Sequence, residues 1–242
     1  MLSRLATIVD APVRPGEAGK AEHMKKVFLV VTLVMASACS GDSSTPSSPS
    51  ASNPLSFFVT SATSTTGNLG GLTGADATCQ RLAAAVGQGN RFWHAYLSAE
   101  RDTANQAVNA RDRIGIGPWH NAAGTLVANN VAELHARTGD AALFVDERGQ
   151  RINGQWTGSP TPVQHDIMTG SNADGTLMRG FTCADWTSGS SADVAQVGHS
   201  DGMGPQQSTV PPLSSWNSAH ANQNCADTAP RGGGGKFYCF AR

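Results

Sequence analysis

Five cysteines constrain this chain more than any other feature of its sequence, and Cys39 stands apart from the other four. It directly follows the small residues Ala36-Ser37-Ala38, which end an apolar stretch that begins after Lys25-Lys26. A basic start, a short apolar core and small residues before a cleavage point are the parts of a secretory signal. The core is too short for a spanning helix, which needs about 20 apolar residues. We therefore expect residues 24–38 to be a signal peptide rather than a buried helix.

Cys39 at the cleavage point resembles the lipobox of bacterial lipoproteins, in which this cysteine is acylated. The resemblance implies a lipid anchor and a place in the bacterial cell envelope, outside the cytoplasm. Asp42 lies beyond the usual inner-membrane retention position, which favours the outer membrane. Residues 1–23 place charged residues and prolines ahead of the signal, and we expect them to be an extension of a mis-called start, with Met24 the true one.

Composition divides the rest of the chain into a tether and one domain. Residues 39–53 are dominated by Ser and Pro, a composition too polar to fold, and predict a flexible tether. Residues 54–242 have the length of a single domain. Without residues 1–38, the 17 Lys/Arg fall to 12 and the 18 Asp/Glu fall to 15. The remaining arginines are scattered singly, so nucleic acid is not expected as a partner.

Regular structure is sparse in the predicted domain, which favours the α+β class. Thr73 is a candidate cap for a helix that ends at Gly87. Strands are predicted at 55–60, 92–98, 142–146 and 236–241, a second short helix at 103–113, and mostly loops after residue 153. One face of the first helix carries the apolar residues Ala75, Cys79, Leu82, Ala83 and Val86.

Four cysteines remain after Cys39, an even number in a chain with an export signal. Two disulfides are the expected result, and four cysteines allow three different pairings. A structural metal site is the alternative, but these cysteines lack the short spacing of zinc ligands. The four are Cys79, Cys183, Cys225 and Cys239.

Several phrases of the sequence resemble the endostatin branch of the C-type-lectin-like fold. They are GGLTGAD before Cys79, FWHAYLS, CADW from Cys183, and the closing YCF around Cys239. A closer resemblance is to an uncharacterised family of bacterial lectin-like lipoproteins, through QHDIMTGSNADGT, WTSG, VGHSD, SWNSAH and GGGGKFYCF. The resemblance implies a loop-rich domain with the disulfides Cys79–Cys239 and Cys183–Cys225.

The calcium-dependent sugar site of that fold is not expected here. No Glu-Pro-Asn or Gln-Pro-Asp run is present, and Trp216-Asn217-Ser218 has a hydroxyl where a calcium ligand should stand. Trp216 has polar neighbours on both sides and is a candidate platform for stacking with a sugar, with Asn217 beside it. His199, Asp201 and His220 complete the set of ligand-binding candidates.

Five polar residues of the loop-rich half have side chains that suit a transition metal or acid–base chemistry. The alternative is that they hydrogen-bond to loop backbone. The three histidines are separated by 34 and 21 residues in segments without predicted regular structure, so we expect no stoichiometric metal and no cofactor. The five are His165, Asp166, His199, Asp201 and His220.

No catalytic residue is assigned, because no His-Glu-x-x-His motif occurs. We expect a non-enzymatic binding module that recognises a glycan or another envelope component through the loops between Trp156 and Trp216. Two alternatives stay open: a structural or adhesive surface protein, and a metal-dependent hydrolase that uses the loop His and Asp residues.

Overall fold

The computed structural model describes residues 54–242. The predicted extension 1–23, signal peptide 24–38, tether 39–53 and lipid on Cys39 lie outside the described residues. Within 54–242, no helix has both the length and the apolar character needed to cross a membrane.

One long helix, three short helical segments and eight short strands form the framework of residues 54–242. In chain order they are β1 (Phe57–Val59), α1 (Gly71–Ala85), β2 (Trp93–Ala95), α2 (Ala110–Arg113), β3 (Trp119–His120), β4 (Leu126–Ala128), α3 (Val131–His135), β5 (Asp166–Met168), α4 (Cys183–Trp186), β6 (Gln196–His199), β7 (His220–Ala221) and β8 (Tyr238–Ala241). A 3-10 turn, Pro205–Gln207, lies between β6 and β7.

The last strand is the centre of an antiparallel sheet with the order β1-β8-β2. Helix α1 packs on this sheet, and the Cys79–Cys239 disulfide joins the helix to β8. The apolar face predicted for this helix is confirmed, since Ala75, Cys79 and Leu82 are buried. The helix begins at Gly71, after Gly70 in a left-handed conformation (φ 77°), so the prediction of Thr73 as its cap is wrong.

The α+β class and the two disulfides are confirmed, with Cys183–Cys225 as the second pair. The predicted strand 142–146 is reduced to isolated bridges at Val145 and Asp146, because the chain before them turns, with the amides of Leu143 and Phe144 donating to Asp140 O. The predicted helix 103–113 shrinks to Ala110–Arg113.

The half of the domain predicted to be mostly loop contains a second antiparallel sheet, β5-β6-β7. Asp166 pairs with His199 between β5 and β6, and Val197 pairs with His220 between β6 and β7. Close by, α4 is a left-handed turn in which Cys183 and the next three residues have φ between 48° and 67°. The Thr182 hydroxyl caps this turn by accepting from Asp185 N.

Candidate metal centre

The sheet β5-β6-β7 brings together four of the five polar residues singled out by the sequence. Asp166 and His199 are directly opposed across β5 and β6. His220 is opposed to Val197, two residues before His199. Because side chains alternate between the two faces of a strand, Asp166, His199 and His220 project from one face of the sheet. His165 precedes β5, and its ring stacks on that of His199 with centroids 4.4 Å apart.

Three histidine nitrogens converge on one carboxylate oxygen. Asp166 Oδ1 lies 3.2 Å from His199 Nε2, 3.3 Å from His220 Nε2 and 3.4 Å from His165 Nε2. Ligand atoms about 2.05 Å from a central zinc ion, at the corners of a tetrahedron, are about 3.3 Å apart. The three separations to Asp166 Oδ1 are therefore close to one edge of a tetrahedral metal site. The ligand atoms of His165, Asp166 and His199 lie within 4.8 Å of one another, and His220 joins this group through its contact with Asp166.

The other nitrogen of each ring is already used. His199 Nδ1 lies 2.7 Å from Leu213 O, and His220 Nδ1 lies 2.8 Å from Ala221 O. A carbonyl oxygen only accepts, so both Nδ1 atoms carry the proton. His165 Nδ1 lies 2.7 Å from the Asp201 carboxylate, which fixes the same tautomer. In each ring Nδ1 therefore faces an acceptor and Nε2 faces Asp166, the orientation that metal-binding histidines adopt.

This arrangement leaves two buried polar atoms of the cluster without a hydrogen-bond partner in residues 54–242. Asp166 Oδ1 and His199 Nε2 are buried and have no hydrogen-bond partner within the described part of the chain. None of the three contacts of 3.2–3.4 Å to this oxygen therefore has hydrogen-bond geometry. A buried polar atom without a partner destabilises the fold by about 1–3 kcal/mol, and a metal ion at the centre would satisfy all four ligand atoms at once.

The electrostatics of the cluster favour an ionised carboxylate. Burial by itself raises the pKa of Asp166, but the surrounding imidazoles of His199, His220 and His165 outweigh it and hold that pKa well below the ordinary aspartate range. Asp201 follows the same pattern: burial opposes its ionisation, and His165 together with two backbone amides lowers its pKa. The site therefore offers one negative ligand, with a second carboxylate behind it.

Burial separates the four ligand residues into an inner group and one edge residue. The side chains of His165, Asp166 and His199 are 6%, 12% and 2% exposed, whereas that of His220 is 21% exposed. Three imidazoles and one carboxylate are a ligand set suited to Zn²⁺. The candidate metal centre is hereafter these four residues.

The structure overturns the reason for expecting no metal. The histidines do lie far apart in sequence, but β5, β6 and β7 aim them at a common point, which a segment without regular structure would not do. Asp201 has a different role from the one predicted, because its carboxylate contacts the far side of the His165 ring rather than the point of convergence. The supporting carbonyls of Leu213 and Ala221 had no signal in the sequence, since any residue type can supply them.

The prediction that Trp216 stacks with a sugar is wrong. Trp216 is fully buried, and its Nε1 donates to Leu134 O at 3.0 Å. Asn217 is also buried, and its Nδ2 donates to Tyr96 Oη at 3.0 Å. Both side chains are part of the core and cannot meet a ligand at the surface.

A surface groove lies elsewhere on the domain, beside α2 and α3. Its volume is about 660 Å³, and Arg111, His135 and Arg242 line it together with Ile116. Ile116 is 84% exposed, which is unusual for an isoleucine. The His135 ring does not offer a free nitrogen there, because Nδ1 lies 2.7 Å from Val131 O and Nε2 lies 2.7 Å from Tyr96 Oη.

In comparisons with known proteins, no family model matched this chain and no curated protein gave a significant match.

Proposed function

We propose that residues 54–242 form a zinc-binding domain that holds one Zn²⁺ ion at the candidate metal centre. The ligand atoms are Nε2 of the three histidines and Oδ1 of Asp166. One observation carries the proposal: three buried or half-buried Nε2 atoms lie 3.2–3.4 Å from a carboxylate oxygen that has no hydrogen-bond partner within residues 54–242.

The site supports a structural role for the ion better than a catalytic one. Catalytic zinc ions keep an open position for water or substrate beside three protein ligands, whereas structural sites have four. The ligand atoms of His165, Asp166 and His199 lie within 4.8 Å of one another, and His220 Nε2, 3.3 Å from Asp166 Oδ1, supplies the fourth. Three of the four side chains are buried. We therefore propose a binding function without enzymatic activity. Hydrolysis of ester or phosphoester substrates by the zinc-loaded protein, lost in the His199→Ala variant, would contradict it.

Elemental analysis and calorimetry of the purified domain test zinc binding. The wild type should retain about one equivalent of zinc after dialysis and should rebind it after chelation. His199→Ala should abolish this binding, and His220→Ala, at the exposed edge, tests the same site in a variant less prone to misfold. His120→Ala, in β3 and outside the cluster, is the matched control and should bind normally. Wild-type protein that is folded but binds no zinc would refute the proposal.

We place the domain outside the cytoplasm, on a lipid anchor at Cys39. The support is the lipobox resemblance together with two disulfides, which persist in oxidising compartments. Mass spectrometry of the N-terminal peptide from envelope fractions should find Cys39 acylated. An unmodified Cys39 thiol in outer-membrane fractions would contradict this placement.

The C-type-lectin-like assignment is also a proposal. Pairing of β1 with β8 joins the two ends of the domain, and Cys79–Cys239 ties the first helix to the last strand. These features agree with the resemblance on which the assignment rests. An experimental structure with a different strand connectivity would refute it.

Recognition of a glycan or an envelope protein is the second candidate function, and the exposed groove beside α2 favours it. Ile116→Asp should weaken binding on a glycan array or in a pull-down from envelope extracts. Leu126→Asp, on β4 and 39% exposed, is the control and should leave binding unchanged. Equal binding by both variants would exclude the groove.

A further inference from the structure

We infer that the metal ion controls the conformation of residues 200–213, a surface segment that follows β6. This inference rests on the zinc binding proposed above. It concerns how the ion acts, and its failure can be separated from a failure of zinc binding.

The segment is long and has little structure of its own. Its regular part is a 3-10 turn, Pro205–Gln207, and a local bond joins Gly204 N to Ser208 O at 2.7 Å. Residues 205–207 and 209–212 are exposed, with Val210 66% exposed. Loops of this length without regular structure are uncommon unless they are functional or mobile. Besides an exposed contact from Gln207 Nε2 to Thr157 Oγ1 at 3.1 Å, the order of the tip therefore depends on the two ends of the segment.

Both ends contact a ring of the candidate metal centre. Near the first end, the Asp201 carboxylate accepts from His165 Nδ1 at 2.7 Å. At the other end, the Leu213 carbonyl accepts from His199 Nδ1, also at 2.7 Å. The two rings that receive these contacts are themselves stacked, so the ends of the segment are fixed to one pair of ligands.

Metal binding should strengthen both bonds. A cation on Nε2 withdraws electron density from the imidazole ring, so the Nδ1–H group on the other side becomes a better donor. Binding also fixes the ring orientations, which removes the freedom of the donors. Asp201 transmits this order further, since its carboxylate accepts from Met203 N at 3.0 Å and from Gln155 N at 2.6 Å.

The remaining anchors of the region do not depend on the ion. Trp216 is buried in the core just beyond the segment, and backbone bonds join Asp140 N to Ser200 O and Gly139 N to Ser214 O. These contacts hold the flanks in either state. The effect of the ion should therefore be confined to residues 201–213 and to the neighbouring residues 154–155.

Hydrogen–deuterium exchange of the purified protein, chelated and then reloaded with Zn²⁺, tests the inference. Amides with acceptors inside the segment include those of Met203, Gly204, Ser208 and Leu213, and Gly202 N donates to His199 O just before it. Their exchange should slow at least about tenfold on zinc loading. The loop at residues 99–109, outside the metal centre, is the internal control and should not change. In zinc-saturated Asp201→Asn protein, the slowing should be much reduced.

The possible results separate the two proposals. Zinc bound at one equivalent with unchanged exchange in residues 200–213 would overturn this inference and leave zinc binding intact. Equal slowing over the whole of residues 54–242 would also overturn it, because the ion would then stabilise the domain globally. Absence of zinc binding in folded protein would refute the zinc proposal itself, and the inference with it.

Discussion

Asp201 shows how one side chain can serve the candidate metal centre without being a ligand. Its Oδ1 accepts from His165 Nδ1 and from Met203 N, and its Oδ2 accepts from Gln155 N. All three neighbours donate, so the position requires a group that only accepts. An ionised carboxylate meets this requirement, and an amide does not.

The Asp201→Asn substitution should therefore weaken zinc binding without removing a ligand. The amide NH₂ would face a donor on one side, and the orientation of the His165 ring would be lost. Supporting residues of this kind change metal affinity by about 10-fold to about 100-fold. Calorimetric titration with zinc measures the change. Asp112→Asn, at an exposed carboxylate of α2, is the control, and equal affinities in the two variants would contradict the role given to Asp201.

For individual residues, the sequence indicated which side chains carry suitable chemistry better than it indicated what each side chain does. The His and Asp residues of the cluster were found because few side chains in the loop-rich half carry such chemistry. Trp216 was misplaced because its neighbours are polar, and polar neighbours normally indicate exposure. Ser214 and Asn217 are in fact buried with it, and Asn217 is satisfied by internal hydrogen bonds. Whether a polar side chain finds such partners depends on distant parts of the chain.

Among the secondary-structure elements, the sheet β5-β6-β7 was not predicted from the sequence, although it positions the candidate metal centre. Its strands have three, four and two residues, which is too short for an alternating pattern to be recognised. Helix α1 was predicted because its fifteen residues repeat an apolar spacing several times. The repeated apolar spacing thus identified the long helix. The short strands have no such local pattern, because they are stabilised by pairing with one another.

The junction of α1, β2 and α2 provides a prediction on stability. Asp76 on α1 accepts from Ala95 N at 2.8 Å and from Arg113 Nη2 at 2.7 Å. Burial raises the pKa of Asp76, but the contacts with His94, Arg113 and Ala95 N outweigh it, so the net pKa is lowered. A lowered pKa in the folded state means that the charged form stabilises the fold above the unfolded-state pKa of about 3.9.

Asp76→Asn should consequently destabilise the domain by about 2 kcal/mol at neutral pH, where the carboxylate makes charged hydrogen bonds. The difference from the wild type should shrink as the pH falls below about 4, because the wild-type carboxyl becomes protonated as well. Urea unfolding of both proteins at neutral and acidic pH measures it. A difference that stays constant over this range would show that charge is not the cause.

Across the domain as a whole, two disulfides join segments that are far apart in the sequence. Cys79–Cys239 spans 160 residues and joins α1 to the central strand of the first sheet. Cys183–Cys225 spans 42 residues and encloses both His199 and His220. The pairing agrees with the one implied by the family resemblance, since cysteine spacing alone left three possibilities open. The residues by themselves predicted that disulfides would form, and the resemblance supplied which ones.

The second disulfide and the metal ion should therefore be coupled. Cys183 and Cys225 close the chain around β6 and β7, which carry two of the three histidines. Without that closure, the entropy of the freed segment favours local opening of these strands. The apparent dissociation constant of a ligand rises in proportion as the binding-competent fraction of the protein falls. Reduction of this disulfide should thus weaken zinc binding even while the rest of the domain stays folded.

The variant Cys183→Ser/Cys225→Ser removes this bridge. Its apparent dissociation constant for zinc should rise by about tenfold or more, because only about one tenth or less of the protein would be competent to bind. Cys79→Ser/Cys239→Ser is the comparison, because it removes the bridge on the other sheet and should change zinc affinity less. Circular dichroism establishes that both proteins are folded before the titration. Equal losses in the two variants would mean that zinc affinity follows global stability, whereas a selective loss would show that the Cys183–Cys225 bridge holds His199 and His220 ready for the ion.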